Sequence, residues 1–212
     1  MLIRLRDLTT LSVEDIDGAQ HRIIDLLVKR DAPDVSHIIV QLGSWLDRHM
    51  CAIRAEAFGT PDLSGDLWPA KVGESHIREN RQPVATICST DEALTPEEVA
   101  TADGTGPLAS LSAIHEKAVE APDGSAIGSV MDLVIDAEQH KIALLILHTG
   151  LIGLEHQRVV PFELVDHVDW DLGKVRLKCE AATVAGSPDL HEMTDQIEGR
   201  WYNKVLAYYG IG

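Results

Sequence analysis

Histidines are the side chains that most readily suggest chemistry, because the 212-residue sequence contains ten of them. The densest group is His148, Glu155 and His156. Imidazole and carboxylate groups can hold zinc when three of them converge on one point. The two histidines flank a bend, however, and the adjacent Glu155 and His156 would point to opposite faces of an extended chain. We therefore predict no metal site and no cofactor, and the sequence leaves open whether this region binds any ion.

Serines, cysteines and acids do not stand in patterns typical of catalysis. The sequence has no G-x-S-x-G turn and no glycine pattern of a P-loop or dinucleotide site. Cys179 lies in a strand-like run and is predicted to be a small packing residue. Asp169 and Asp171 lie in a turn, where aspartate is favoured for backbone reasons. We expect the protein not to be an enzyme. An uncharacterised enzyme stays an alternative, since acids from distant positions could still assemble.

Composition narrows the class of partner. Thirty-four acidic residues against 18 basic ones give a formal charge of −16, so direct contact with nucleic acid is not expected. The three cysteines are far apart and form no C-x-x-C pair, which fits a reducing compartment. No stretch approaches the roughly 20 apolar residues that span a bilayer, so no transmembrane segment is expected. These features predict a cytoplasmic protein.

The elements that would position any site occur twice, because the sequence repeats itself. Val13-Glu14-x-x-Asp17-Gly18 recurs 106 residues later as Val119-Glu120-x-x-Asp123-Gly124. One inserted residue later the displacement is 107, and it then aligns pairs across about fifty positions: Asp25 with Asp132, Ile39 with Ile146, Gly43 with Gly150 and His49 with His156. The sequence therefore predicts two homologous modules.

The sequence of each module predicts short strands separated by turns. In the second, Asp123-Gly124 predicts a hairpin turn, and apolar runs at 127–136, 141–148, 158–161 and 175–179 predict strands. A helical turn is expected at 162–165 and another hairpin turn at 169–173. We predict an all-β fold of two tandem small antiparallel β-barrels, which would remove exposed strand edges.

Short helices are expected in the linker and at the C-terminus. The predicted domains are a first module at 1–83, a linker with a short helix at 84–108, a second module at 109–186 and a C-terminal helix at 187–212. In that last segment apolar residues recur at helical spacing: Leu190, Met193, Ile197, Trp201, Val205 and Tyr208. We expect this face to pack on the protein's own barrels.

The second module resembles the PRC-barrel family in the order and spacing of its residues. The resemblance lies in Asp123-Gly124-x-x-Ile127-Gly128-x-Val130-x-Asp132-Leu133-Val134-Ile135-Asp136, Lys141-Ile142-Ala143-Leu144-Leu145-Ile146, Gly150-x-x-Gly153 and Arg158-Val159-Val160-Pro161-Phe162. The first module departs from this pattern, with His21 at the place of Gly128 and Arg54 at the place of Pro161. It is assigned through its match to the second module.

The resemblance implies a β-barrel that acts as an adaptor on a larger assembly and has no catalytic residues. We therefore expect a non-enzymatic interaction or regulatory module with a protein partner, and a homodimer is an option. One alternative is an accessory subunit of a membrane electron-transfer complex, since the family includes the cytoplasmic domain of the photosynthetic reaction-centre H subunit. Another alternative is a ribonucleoprotein-assembly factor, since the family also includes part of a ribosome-maturation factor.

Two equivalent segments carry large apolar side chains at a bend, where polar residues are more usual. Trp45 and Leu46 follow Gly43, and Ile152 and Leu154 follow the equivalent Gly150. Such residues can cap their own barrel or form a contact surface between modules, chains or partners. We predict these four residues as the interaction site.

Overall fold

The computed structural model describes residues 1–42, 49–73, 108–150, 156–170, 172–190 and 199–212. The chain divides into two compact units. Unit 1 contains Met1 and residues 6–113 and 137–141, and unit 2 contains residues 2–5, 114–136 and 142–212. Each unit therefore includes a short segment from the other half of the sequence.

The described elements are mostly β-strands. In chain order they are β1 (Leu2–Arg4), α1 (Leu5–Leu8), β2 (Ser12–Glu14), β3 (Gln20–Lys29), β4 (Val35–Leu42), β5 (His49–Arg54), β6 (Leu67–Pro69), β7 (Leu108–Ser110), β8 (Ala118–Glu120), β9 (Ala126–Asp136), β10 (Lys141–Thr149), β11 (His156–Pro161), β12 (Val165–Asp169), β13 (Lys174–Leu177), α2 (Ala181–Ala185) and α3 (Gly199–Tyr208). Short 3-10 helices lie at Ala55–Ala57, Ser112–Ile114 and Phe162–Leu164. The predicted all-β class is confirmed.

Unit 1 is built on a six-stranded sheet in the order β5-β4-β3-β2-β6, with β7 paired to β3. From Ile23 to Val28 the long strand β3 is apolar at every position except Asp25, which is typical of a strand covered on both faces. Leu27, Ile39 and Leu108 form one buried cluster from three of these strands. β7 therefore contributes to the core of unit 1 as well as to its sheet.

Unit 2 is built on a seven-stranded sheet in the order β11-β10-β9-β8-β13-β12, with β1 paired to β9. The strand order from β11 to β8 is the same as that from β5 to β2 in unit 1, and β13 takes the place of β6. β9, β10 and β11 begin and end within two residues of the predicted strands. The strand predictions for the second module are confirmed at this level.

The expected closed antiparallel barrels do not agree with the sheets. Among the described residues the end strands of each order are not paired with each other, so both sheets are open. Two pairs are also parallel, β2 with β6 and β8 with β13. Turn signals predict strands joined by hairpins, but the pairing of strands distant in sequence depends on which edges the fold leaves available.

The Asp-Gly sequences at 17–18 and 123–124 form turns, as the repeat predicts. Gly18 and Gly124 have φ of 79° and 83°, in the left-handed region that glycine adopts without strain. In both turns the glycine N–H donates to the carbonyl oxygen three residues earlier, at 3.0 Å. These turns join β2 to β3 and β8 to β9.

The C-terminal helix packs on unit 2, as its apolar face predicted. Trp201 and Val205 on α3 are buried in a cluster with Val134, Leu144 and Val159 from the sheet. The helix begins at Gly199 in the described residues, and residues 191–198, with Met193 and Ile197, lie outside them. Tyr208 is 42% exposed, so it lies at the margin of the packed face. No helix among the described residues has the length and apolar character needed to cross a membrane.

Candidate functional site

The four predicted interaction residues lie outside the described residues. Trp45 and Leu46 are in the connection between β4 and β5, and Ile152 and Leu154 are in the connection between β10 and β11. These strands are equivalent in the order of the two sheets. The two segments therefore join matching strands in their own units, and their role in binding stays a prediction.

The histidines of the suggested metal group do not converge. In the β10–β11 pair Thr149 is opposite His156, and His148 is opposite Gln157. Because residues directly opposite share a face and neighbours alternate, His148 and His156 project to opposite faces.

The histidine on β11 has an acidic partner of its own. The Nδ1 atom of His156 lies 3.6 Å from an Oδ2 atom of Asp189. Glu155 is outside the described residues. Within the described ranges no three His, Cys, Asp or Glu side chains form a group that could hold a metal ion.

Asp25 is a buried carboxyl group in the middle of β3. Its Oδ1 atom accepts hydrogen bonds from the backbone N–H of Leu26 at 2.7 Å and from the Ser112 hydroxyl at 2.9 Å. The Ser112 backbone N–H also donates to Oδ1, at 3.2 Å, and the Ser110 hydroxyl donates to Oδ2. The carboxyl group thus fixes β7 and the residues just after it to β3.

The environment of Asp25 suits anchoring better than catalysis. Burial raises the pKa of Asp25, and hydrogen bonds from Ser110, Ser112 and Leu26 offset part of the rise. A raised pKa is a common property of general acids and bases. Here, however, the carboxyl group is buried and its two oxygens accept four hydrogen bonds. A substrate would have to displace the segment that contains the two serines.

Asp132 holds the equivalent place on β9 in unit 2. It is as buried as Asp25, with 8% of its surface exposed. Its Oδ1 atom accepts the backbone N–H of Leu133 at 2.8 Å, the same bond that Asp25 makes with Leu26. The Asp-Leu match found in the sequence repeat is therefore a shared structural feature. The sequence marked these two acids only as an aligned pair; an acid within an apolar run is the signal that could have revealed their role, because a buried acid needs hydrogen-bond partners.

A second buried acid, Asp15, pairs with His21 in unit 1. Asp15 Oδ2 lies 3.0 Å from His21 Nε2, and Oδ1 accepts the backbone N–H groups of Asp17 and Ala19, both at 2.9 Å. Burial pushes the pKa of Asp15 upward, but the bonds from His21 and the two N–H groups outweigh it and lower the pKa. This network closes the turn between β2 and β3.

The histidine–aspartate pair is particular to unit 1. The equivalents of Asp15 and His21 in unit 2 are Ala121 and Gly128. There the turn is held instead by Asp123, whose Oδ1 accepts the N–H and hydroxyl of Ser125 at 2.9 and 2.6 Å. Sequence reasoning noted His21 only as a departure from the glycine of the second module.

Three further polar side chains, Cys179, His37 and Asp169, are partly buried or hydrogen-bonded to close neighbours in sequence. Cys179 is half-buried, and burial raises the pKa of its thiol, so the less reactive protonated form is favoured. His37 is buried in β4, and its Nδ1 atom lies 2.9 Å from the Ser36 hydroxyl. Asp169 accepts the backbone N–H of Leu172 at 2.8 Å, in the predicted turn. These groups stabilise local structure.

Comparison with known proteins finds a family match in the second half of the chain. Residues 109–179 match the family model of the PRC-barrel domain. The match extends from β7 to just beyond β13, and it includes both Asp132 and Gly128. No curated protein matches the chain.

Proposed function

We propose that this chain, in which residues 109–179 match the PRC-barrel domain, is a tandem of two PRC-type modules that binds protein partners without catalysing a reaction. The family match carries the proposal, because domains of this family generally mediate protein interaction. The acidic composition and the three widely spaced cysteines, with no C-x-x-C pair, favour the cytoplasm as the place where it acts.

The support that unit 1 gives to the tandem organisation comes from the pairing of its strands, since its sequence departs from the family pattern. Its strand order corresponds to that of unit 2, and each unit has one additional short strand on its longest strand. The buried Asp25 and Asp132 make the same bond to the following N–H group. A diverged copy of the same module explains these correspondences, although His21 and Arg54 replace two residues of the family pattern.

The proposed contact surface is formed by Trp45 and Leu46 in the first module and by Ile152 and Leu154 in the second. Covering large apolar side chains of a connecting segment with a partner is energetically favourable, and exposed apolar patches of this kind mark interaction sites. Tryptophan contributes strongly when an interface buries it. The strands on either side of each segment are firmly paired, with six register pairs for β4–β5 and six for β10–β11.

Quantitative affinity capture from the source organism tests the proposal. The bait is the purified full chain, compared with a Trp45→Asp/Ile152→Asp variant. We expect the variant to keep its fold and to bind the partner about tenfold more weakly, so that much less partner is captured. The reason is that one buried hot-spot residue contributes more than about 1.4 kcal/mol to binding.

A matched control replaces an exposed apolar residue elsewhere. Leu172 is 74% exposed in the turn between β12 and β13, so Leu172→Asp adds the same charge away from the proposed surface. It should retain the partner. Equal capture by all three proteins, with unchanged thermal melts, would contradict the proposed surface.

A further inference from the structure

The repeat extends to the leading segments of the two modules. Leu2, Leu5 and Leu8 recur 106 residues later as Leu108, Leu111 and Ile114. The leading strands are equivalent in structure too: Leu2 is opposite Asp136 on β9, and Leu108 is opposite Lys29 on β3. Asp136 and Lys29 are themselves related by the displacement of 107 that aligns the long strands. β1 and β7 therefore fill the same position in two equivalent sheets.

Each leading strand belongs to the unit that the other repeat builds. β1 precedes the strands of unit 1 in sequence but is part of unit 2, and β7 precedes the strands of unit 2 but is part of unit 1. The division falls between Leu5 and Arg6 in the first repeat and between Ala113 and Ile114 in the second. The two repeats thus exchange their first strands reciprocally.

A sheet that takes its strand from another repeat does not require that repeat to lie on the same chain. Reciprocal exchange of an identical element is a low-cost route to a dimer, because every contact is one that already exists. We infer that the β9 edge, at residues 134–136, is a self-association site that accepts residues 2–5 of a second copy of this chain. Two copies that exchange β1 form a closed two-fold dimer.

The exchange is directed to one of the two units. In unit 1 the leading segment carries Ser110 and Ser112, whose hydroxyls bind the buried Asp25. The equivalent positions in the first leading segment are Arg4 and Arg6. A guanidinium is much larger than a hydroxymethyl group, and a close-packed position tolerates such enlargement poorly. β1 of a second copy is therefore accepted by β9 and rejected by β3.

Disulfide trapping between two full-length variants tests the inference, which does not depend on the proposed function. Leu2 and Asp136 are directly opposite in an antiparallel pair, a separation of about 5 Å between Cα atoms that a disulfide spans. One chain carries Leu2→Cys and the other Asp136→Cys, both with Cys51, Cys88 and Cys179 replaced by alanine or serine. The chains are mixed, partly unfolded in urea, refolded together and oxidised. A crosslinked heterodimer requires β1 of one copy on β9 of the other.

We expect the ratio of crosslinked dimer to monomer to rise about tenfold when the protein concentration during refolding is raised about tenfold, as mass action requires. The matched control mixes Leu2→Cys with Lys29→Cys, the equivalent site on β3, and should give no more crosslink than Leu2→Cys mixed with Leu172→Cys. A single chain with both Leu2→Cys and Asp136→Cys should form an intrachain disulfide, which verifies the geometry; Ile3→Cys with Ile135→Cys is a second pair in the same register.

Two outcomes overturn the inference. The first is a Leu2→Cys and Asp136→Cys mixture that crosslinks no more than the Leu172→Cys control at every concentration, with either pair of positions. The second is equal crosslinking to Lys29→Cys, which would show that the strand has no preference for β9.

Discussion

Gly128, near the start of β9, lies against the backbone of β10 with no room for a side chain. A Cβ atom added there would lie 2.1 Å from the carbonyl oxygen of His148, 3.1 Å from its carbonyl carbon and 3.3 Å from the Cα atom of Thr149. All three are backbone atoms of β10, so no side chain can turn aside. Gly128→Ala must therefore separate β9 from β10 by roughly 1 Å at this point, and overpacking of this kind is destabilising.

The expected cost follows from two contributions. Overpacking a tightly packed site costs about 1–3 kcal/mol, and each lost strand-to-strand hydrogen bond costs about 1 kcal/mol. With one such bond lost, we expect Gly128→Ala to lower the free energy of unfolding by about 2 to 4 kcal/mol. For a chain of this size that corresponds to a fall of roughly 10 °C in Tm. Urea unfolding followed by far-UV circular dichroism measures the change.

Substitutions at two other glycines serve as controls that distinguish the effect of a steric clash from the effect of backbone strain. Gly124 has φ of 83° with no atom within 4 Å of an added Cβ, so Gly124→Ala should cost only about 1 kcal/mol. Gly199 begins α3, also with open space, and Gly199→Ala should be neutral or slightly stabilising. If Gly128→Ala were within about 0.5 kcal/mol of Gly199→Ala, the close approach of β9 and β10 would be refuted.

Four further predictions concern buried groups. Asp25→Ala leaves the Ser110 and Ser112 donors without their acceptor and should cost about 2–4 kcal/mol in urea unfolding. Because burial raises the pKa of Asp25, the wild type should lose stability relative to Asp25→Asn as the pH rises from 3.8, its ordinary value, through the raised pKa; parallel pH profiles for the two proteins would contradict this. The lowered pKa of Asp15 acts in the opposite direction: the ionised carboxylate stabilises the fold above pH 3.8, and this stabilisation is lost as the pH falls through the lowered pKa. Acid titrations followed by circular dichroism should therefore show a smaller loss of stability for His21→Ala than for the wild type. Trp201→Ala should destabilise unit 2 by about 3 kcal/mol, and a loss below about 1 kcal/mol would refute the packing of α3 on the sheet.

Local signals in the sequence were enough to locate most strands and turns of unit 2. Apolar runs bounded by turn residues predicted β9, β10 and β11 closely, and the Asp-Gly pairs predicted turns that require a positive φ. The apolar face of α3 predicted the burial of Trp201 and Val205. These features depend on neighbours a few residues away, so they can be read from one chain.

Only the tertiary structure decided which sheet each leading strand joins. β1 and β7 are three residues long, and so short a segment has no periodicity from which to infer a partner. Their positions depend on the free edges of β9 and β3, which exist only once the rest of each sheet has formed. The partners of Asp25 were hidden for the same reason, because Ser110 and Ser112 lie 85 and 87 residues further along the chain. The sequence alone determined the positions of β9, β10 and β11, and long-range pairing determined which sheet each short strand joins.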